Sequence, residues 1–114
     1  MSFKIHNFQP HKSGDTWEGA QFTVTKNGAA LDLTSATIKS EFRVKTKTGA
    51  VKLTLTEVSG ITITDAANGV FKLDKQIITL PADTYHYDIE ITLSNGDKKS
   101  YVEGTWEIVQ DVTQ

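Results

Sequence analysis

The segment that decides the fold is residues 84–93, which read TYHYDIEITL. Large apolar and polar side chains alternate along it, and side chains two positions apart share one face of a β-strand. The polar set on one face is His86, Asp88 and Glu90. Strict alternation of this kind is typical of a strand with one buried and one solvent-facing side. We therefore expect a half-buried strand that turns Tyr85 and Tyr87 toward a core.

The same alternation recurs along the whole chain. It is found in AQFTVT, ATIKSEFRVK, VKLTL, ITI, VFKLD and SYVEGTWEIV, with a further candidate in the N-terminal FKIHNF. Glycines preceded by Asn, Ser or Thr separate these runs and are typical of tight turns. About eight short strands with regular turns and no helical period predict an all-β fold, an immunoglobulin-like antiparallel β-sandwich of seven to nine strands without a long helix.

Length and composition limit the classes of function. A chain of 114 residues predicts a single domain, residues 1–114. Lys and Arg number 12 and Asp and Glu 14, which gives a net charge of −2 and no global positive field for nucleic acid. No apolar window has the length of a signal peptide or a membrane span, so no membrane partner is expected. The absence of cysteine excludes disulfides and thiolate metal sites.

The last hairpin has the clearest predicted register. If Asn95 and Gly96 are the central residues of a two-residue type I′ turn, every opposing pair follows from the turn. The inner-face pairs are Ile89 with Val102, Tyr87 with Gly104, and Tyr85 with Trp106. An aromatic ring over a strand glycine compensates its missing side chain, which favours this register.

The outer face of the same hairpin predicts a neighbouring strand. Asp88 opposes Glu103 there with Glu90 close by, and like charges directly across a ladder are destabilising. Residues 36–45, ATIKSEFRVK, turn cationic side chains outward at Lys39, Arg43 and Lys45. We therefore expect this strand to lie beside residues 84–93, as strand C lies beside strand F in immunoglobulin-like sandwiches.

The polar side chains of residues 86–90 suit two interpretations. His86, Asp88 and Glu90 share a face, as divalent-metal ligands can. A solvated, charge-paired sheet face explains the same alternation, and we prefer it. We therefore expect neither a metal nor another cofactor at this site.

No catalytic machinery is visible in the sequence. There is no GxSxG elbow and no glycine-rich phosphate loop. A small enzyme would need a closed pocket that contains at least two of His86, Asp88, Glu90 and Glu103, whereas a flat sheet face excludes no water. We therefore expect a protein that is not an enzyme.

Three further aromatic residues separate core from surface. Trp106 follows the inward set and is assigned to the core. Trp17 starts the second strand, where core packing is preferred over exposure at a contact surface. Tyr101 falls on the outer face of its strand and is the candidate exposed anchor for a partner.

The turn before residues 84–93 predicts a tyrosine corner. In immunoglobulin-like domains a tyrosine near the start of strand F bonds through its hydroxyl to backbone a few residues upstream. Tyr85 occupies that position, and Tyr87 takes the place that a disulfide-bearing domain gives to cysteine. Both residues are therefore expected to be scaffold.

Several segments together resemble a known family. SGDTWEGAQFTVTKNGAALDLTSATIKSEFRVK, LPADTYHYDIEITLSNGDKKSYVEGTWEIV and the terminal QDVTQ resemble the N-terminal domain of the phage baseplate upper protein family, an immunoglobulin-like module of tail and baseplate proteins. Family members often carry glycine where this chain has Asp83. The resembling domain is also normally followed by a long extension, whereas this chain stops at Gln114. This leaves a free-standing small virion protein or a homologous module with another use.

The resemblance implies a structural role without turnover. It implies other virion proteins as partners, leaves room for a homo-oligomer, and implies a location in the virion after synthesis in the host cytoplasm. The terminal segments MSFKIHNF and QDVTQ are candidates to extend a neighbour's sheet. The alternative is a carbohydrate-binding or cell-surface-binding module, which would need Trp17 and Tyr101 exposed together on one face.

Overall fold

The structure is a computed structural model, and it describes residues 4–110. Seven strands in this range have four residues or more. They are Ala20–Thr23 (β4), Thr37–Val44 (β7), Val51–Thr56 (β8), Ile61–Asp65 (β9), Val70–Leu73 (β10), Asp83–Thr92 (β12) and Lys98–Val109 (β13). Six two-residue strands complete the set: Lys4–Ile5 (β1), His11–Lys12 (β2), Thr16–Trp17 (β3), Thr25–Lys26 (β5), Ala29–Ala30 (β6) and Gln76–Ile77 (β11). Between β9 and β10 lies a short 3₁₀ turn, Ala66–Asn68.

The strands form the two layers of an immunoglobulin-like sandwich. The larger sheet has the order β1-β13-β12-β7-β8, with β2 also paired to β13, and the second sheet has the order β4-β10-β9. In immunoglobulin terms β7, β12 and β13 correspond to strands C, F and G, while β4, β10 and β9 correspond to B, E and D. The predicted fold class is therefore confirmed. No helix within residues 4–110 has the length and apolar character needed to cross a membrane.

The core lies between the two layers and is rich in aromatic rings. Phe22 and Phe71 stack within the smaller sheet at 5.6 Å between ring centroids. In the larger sheet Phe42 packs on Tyr87 at 5.3 Å and against Trp106 at 5.7 Å. Trp106 is fully buried, as its inward position predicts. Large aromatic side chains bury much apolar area each, which suits a chain without disulfides.

The predicted register of the last hairpin is confirmed along most of its length. Tyr85 pairs with Trp106, Tyr87 with Gly104, and Ile89 with Val102. Toward the hairpin tip the register shifts, because Glu90 pairs with Ser100 and Tyr101 is the extra residue of a β-bulge.

The turn itself was predicted wrongly. Leu93 N donates to Asp97 O at 2.7 Å and Gly96 N donates to Leu93 O at 2.9 Å, so three residues, 94–96, form the loop. A type I′ turn needs positive φ at both central residues, whereas only Gly96 of the pair has it, at 94°. The longer loop shifts the register by one residue and the bulge shifts it back, so the two errors cancel below Ile89.

The predicted strand neighbours and the tyrosine corner are both present. β7 pairs antiparallel with β12 along eight residue pairs, from Tyr85 with Val44 to Thr92 with Thr37. The hydroxyl of Tyr85 donates to Pro81 O at 2.6 Å, and Tyr85 is buried. Burial is the main cause that raises the pKa of this hydroxyl, which keeps it protonated as a donor.

The N-terminal segment adds an element that alternation did not predict. β1 and β2 both pair in parallel with β13, through Lys4 with Val102 and His11 with Ile108. The expectation that the chain ends extend a neighbour's sheet concerns mainly residues 1–3 and 111–114, which lie outside the described residues.

Candidate functional site: a groove on the outer face of the larger sheet

A concavity of about 310 Å³ lies on the outer face of the larger sheet, and we call it the β12 groove. Its lining comprises Ile5, Asn7, Glu41, Arg43, Lys47, His86, Tyr87, Asp88, Glu103, Gly104 and Thr105. These residues come from β7, β12 and β13 and from the N-terminal segment, with Lys47 in the loop after β7. The groove is the main candidate site because it gathers most of the ionisable side chains of this face.

The floor of the groove follows from strand register. Asp88 on β12 pairs with Glu41 on β7 and with Glu103 on β13. Opposing residues of an antiparallel ladder lie on the same face of the sheet. The three carboxylates therefore form a row across three adjacent strands, and His86 lies two residues away on the same face, opposite Arg43 and Thr105.

Cations offset the two ends of this row but not its centre. Arg43 lies 3.2 Å from Glu41, and Lys47 lies 3.3 Å from Glu103. The expected cations from β7 thus pair partly with a carboxylate of their own strand. Asp88 accepts a hydrogen bond from Ser100 Oγ at 3.1 Å and has no cation within 4.0 Å among residues 4–110.

The protonation of Asp88 reflects this setting. Burial in the groove floor raises the pKa of Asp88, and the charges of Glu90 and Glu41 raise it further. The hydrogen bond from Ser100 and the charge of Arg43 act in the opposite direction, without reversing the shift. Asp88 is therefore the carboxylate of the row that gains most from protonation or from an approaching cation.

The N-terminal segment forms one wall of the groove. Asn7 Oδ1 accepts from Thr105 N at 3.0 Å and from Thr105 Oγ1 at 3.2 Å, which holds this wall on β13. The hydroxyl of Tyr87 donates to His6 O at 2.6 Å, and burial raises the pKa of Tyr87. Gly104 has no side chain, and a Cβ there would overlap His6 O. Tyr87 and Gly104 therefore position the wall.

Most residues of the predicted surface come together here. His86, Asp88 and Glu103 line the groove, whereas Glu90 lies beside it on the same face, 3.8 Å from Lys98. All four side chains are partly exposed. Three of the four therefore share one concavity, but it is open to solvent and does not enclose them.

The prediction that Tyr101 is an exposed anchor is wrong. Tyr101 is 5% exposed and belongs to the hydrophobic core. The bulge explains the error, because the extra residue brings Tyr101 and Val102 to the same side of the sheet. Periodic alternation does not reveal a bulge, so the outer face was assigned to Tyr101 by counting.

Trp17 also lies away from the groove. It is partly buried and packs on Trp106 at 4.7 Å and on Phe8 at 5.3 Å between ring centroids. This confirms the preferred core placement. Trp17 and Tyr101 therefore form no joint exposed aromatic platform, and that expected feature of a carbohydrate-binding surface is not met.

Three lining residues were missed from the sequence. Ile5 and Asn7 reach the groove only because β1 pairs in parallel with β13, a contact between distant parts of the chain that local patterns do not show. Lys47 lies in a loop. Glu41, by contrast, was already assigned to the outer face of its strand, and the predicted neighbouring of β7 and β12 would have placed it.

The groove offers charge pairing and hydrogen bonding. Carboxylate, guanidinium, ammonium, imidazole and amide groups lie within one small concavity, a mixture common in protein–protein contact surfaces. Within residues 4–110, no three His, Asp or Glu side chains converge in a way that could hold a metal ion.

Comparisons with known proteins give low similarity. No family model matches the sequence, and no curated protein matches it significantly. Among solved structures, CopC from Methylosinus trichosporium OB3b is similar with 12% identity and a TM-score of 0.47, over 90% of this chain and 88% of that one. Extracellular domains 3–5 of Drosophila OTK are similar with 14% identity and a TM-score of 0.38, over 96% of this chain and 34% of that one. The fold class rests on the strand pairing of this chain itself.

Proposed function

We propose that this chain is a non-enzymatic structural protein of a virus particle, a small phage tail or baseplate module that acts through protein–protein contacts. The resemblance of its ordered motifs to the phage baseplate upper protein family motivates the proposal. Its partners are then other virion proteins, and its place is the assembled particle. A rigid sandwich that docks through a sheet face or a strand edge needs no turnover and no cofactor.

One observation carries the proposal furthest. The segments with the resemblance lie side by side, because residues that follow LDLT, the TYHYDI segment and the last strand form the adjacent strands β7, β12 and β13. Their common outer face is the β12 groove, with charged residues in its floor and Ile5, which is 67% exposed, at its rim. A surface with exposed apolar and paired charged groups is suited to a protein partner.

Mass spectrometry of purified particles tests this proposal. Particles are isolated on a density gradient from the host that carries this gene, and the chain is quantified against the other particle proteins. We expect it at a fixed ratio in every preparation. Intact particles that lack the chain would overturn the proposal.

A pair of variants tests the role of the groove. Lys47→Glu reverses an exposed charge at the rim, and Lys72→Glu makes the same change on the exposed face of β10 in the other sheet. We expect Lys47→Glu to reduce incorporation into particles and Lys72→Glu to leave it unchanged. Equal incorporation of both variants would remove the groove from the proposal.

A further inference from the structure

Strand β8 leaves one edge of the larger sheet unpaired. Among the described residues its strand partner is β7, on one side only. Glu57 N donates to Ile38 O at 3.2 Å, and alternate residue pairs of an antiparallel ladder exchange hydrogen bonds. By this alternation the backbone groups of Leu53 and Leu55 face β7, whereas those of Thr54 point away from the sheet. Thr54 is therefore the residue whose N–H and C=O are free to accept another strand.

The sequence around this edge has an internal symmetry. Residues 51–58 read VKLTLTEV, with a valine at each end, and Lys52 and Glu57 are its two charged residues. Val51 is 37% exposed and Val58 is 86% exposed. A second copy of this segment in antiparallel orientation brings Lys52 next to Glu57 of that copy and Val51 next to its Val58. In parallel orientation Lys52 would face Lys52.

We propose that β8 pairs antiparallel with β8 of a second copy of this chain, about a two-fold axis at Thr54. The two larger sheets then become one continuous sheet across the dimer. Leu53 lies opposite Leu55 of the second copy on the inner side, and the uncharged Thr54 side chains meet on the outer side. Such an interface is isologous and closed, so it produces a dimer and no filament.

Lys52 makes this edge selective. The register pairs Phe42 with Leu53 and Arg43 with Val51, so Lys52 is the extra residue of a β-bulge. A lysine and a bulge on an edge strand normally oppose pairing with other chains. A foreign strand would leave Lys52 without an acidic partner, whereas the antiparallel copy supplies Glu57. Glu57 Oε1 accepts a hydrogen bond from Ile38 N at 2.9 Å, which holds that carboxylate at the edge.

Sedimentation of the purified chain over a range of concentrations tests the dimer. We expect a reversible monomer–dimer equilibrium. Lys52→Glu should weaken the dimer at least about tenfold, because two attractive cross-strand pairs become repulsive. The matched control Lys72→Glu changes the same charge on β10 and should leave the dissociation constant unchanged. Circular dichroism checks that both variants fold.

Cysteine cross-linking provides a second readout. The chain has no cysteine, so a single engineered one is unique. Opposed residues in an antiparallel pair have Cα atoms about 5.5 Å apart, within disulfide reach. Under mild oxidation Thr54→Cys should form a disulfide-linked dimer, while Thr62→Cys on the exposed face of β9 should not.

Either of two results would overturn the proposal. One is a chain that stays monomeric up to about 1 mM, where association is worth only about −4 kcal/mol. The other is a dimer in which Lys52→Glu behaves like Lys72→Glu, or Thr54→Cys like Thr62→Cys. The measurement uses the purified chain and does not depend on a role in particles.

Discussion

The hydroxyl of Tyr87 donates a hydrogen bond of 2.6 Å to the carbonyl oxygen of His6, 81 residues away in the chain. The same oxygen lies over Gly104, at the place that a Cβ would occupy. Two side chains of the larger sheet therefore fix where the N-terminal segment crosses it, one by a hydrogen bond and one by the absence of a side chain. Because this segment forms a wall of the β12 groove, the shape of the groove depends on both.

Replacement of Gly104 by Ala should detach this wall. The added methyl group overlaps His6 O, and backbone can yield only by moving the N-terminal segment away from β13. We expect a loss of about 1 to 3 kcal/mol in the free energy of unfolding, as for other overpacked sites. Hydrogen exchange should show faster exchange at the amides of His6 and Phe8, which donate to β13. Unchanged protection of these two amides would contradict the role of Gly104.

Replacement of Tyr85 by Phe should destabilise the fold. It removes the hydrogen bond to Pro81 O and leaves that part-buried carbonyl without its donor. We expect a loss on the order of 1 to 3 kcal/mol, measured by urea denaturation. Tyr101→Phe is the matched control, since the Tyr101 hydroxyl makes no hydrogen bond to another residue within the described part of the chain. Equal stability of the Tyr85 variant and the unmodified protein would refute the tyrosine corner.

Replacement of Asp88 by Asn should stabilise the protein at neutral pH. The folded state raises the pKa of Asp88 above its unfolded value, so ionisation of Asp88 disfavours folding. The folded state then binds the proton more tightly, and stability increases as pH falls through the raised pKa toward the ordinary value near 3.9. Asn removes the charge and still accepts from Ser100. We expect a gain of up to about 1 kcal/mol at pH 7.

The gain should disappear in acid. Below the unfolded pKa of Asp88 both states carry a neutral side chain, so the variant and the unmodified protein should melt at similar temperatures. Asp15→Asn, in an exposed loop, serves as the control for charge alone. A variant that is less stable than the unmodified protein at pH 7 would show that Asp88 has a cation partner in solution.

Replacement of Asp83 by Asn should have the opposite pH dependence. The hydrogen bond from Lys45 lowers the pKa of Asp83, and the hydrogen bond from Thr84 N lowers it further. Its ionised form therefore favours folding above the ordinary pKa, and this contribution is lost as pH falls through the lowered value. We expect a small decrease in Tm at pH 7 that vanishes near pH 2 and shrinks in high salt. A decrease of equal size at both pH values would exclude the ion pair as its cause.

Alternation predicted the strands and their inner faces because burial on one side imposes a period of two. It placed Tyr85 opposite Trp106, and it placed β7 beside β12 because the charges of Asp88 and Glu103 require offsetting cations. It failed at Tyr101, since a bulge interrupts the period without leaving a sequence signal. It also missed Ile5 and Asn7, because their parallel pairing with β13 joins distant parts of the chain. The floor of the groove could therefore be predicted and its N-terminal wall could not.

The loop of residues 94–96 and the bulge at Tyr101 act as a matched pair of one-residue offsets. With the three-residue loop and no bulge, Tyr87 would face Glu103, and Trp106 would point out of the core. With the bulge and a two-residue loop, the same inversion would follow. Single-residue insertions and deletions between residues 94 and 101 should therefore be tolerated only in compensating pairs, and among related sequences the length of this hairpin tip should change together with the presence of the bulge.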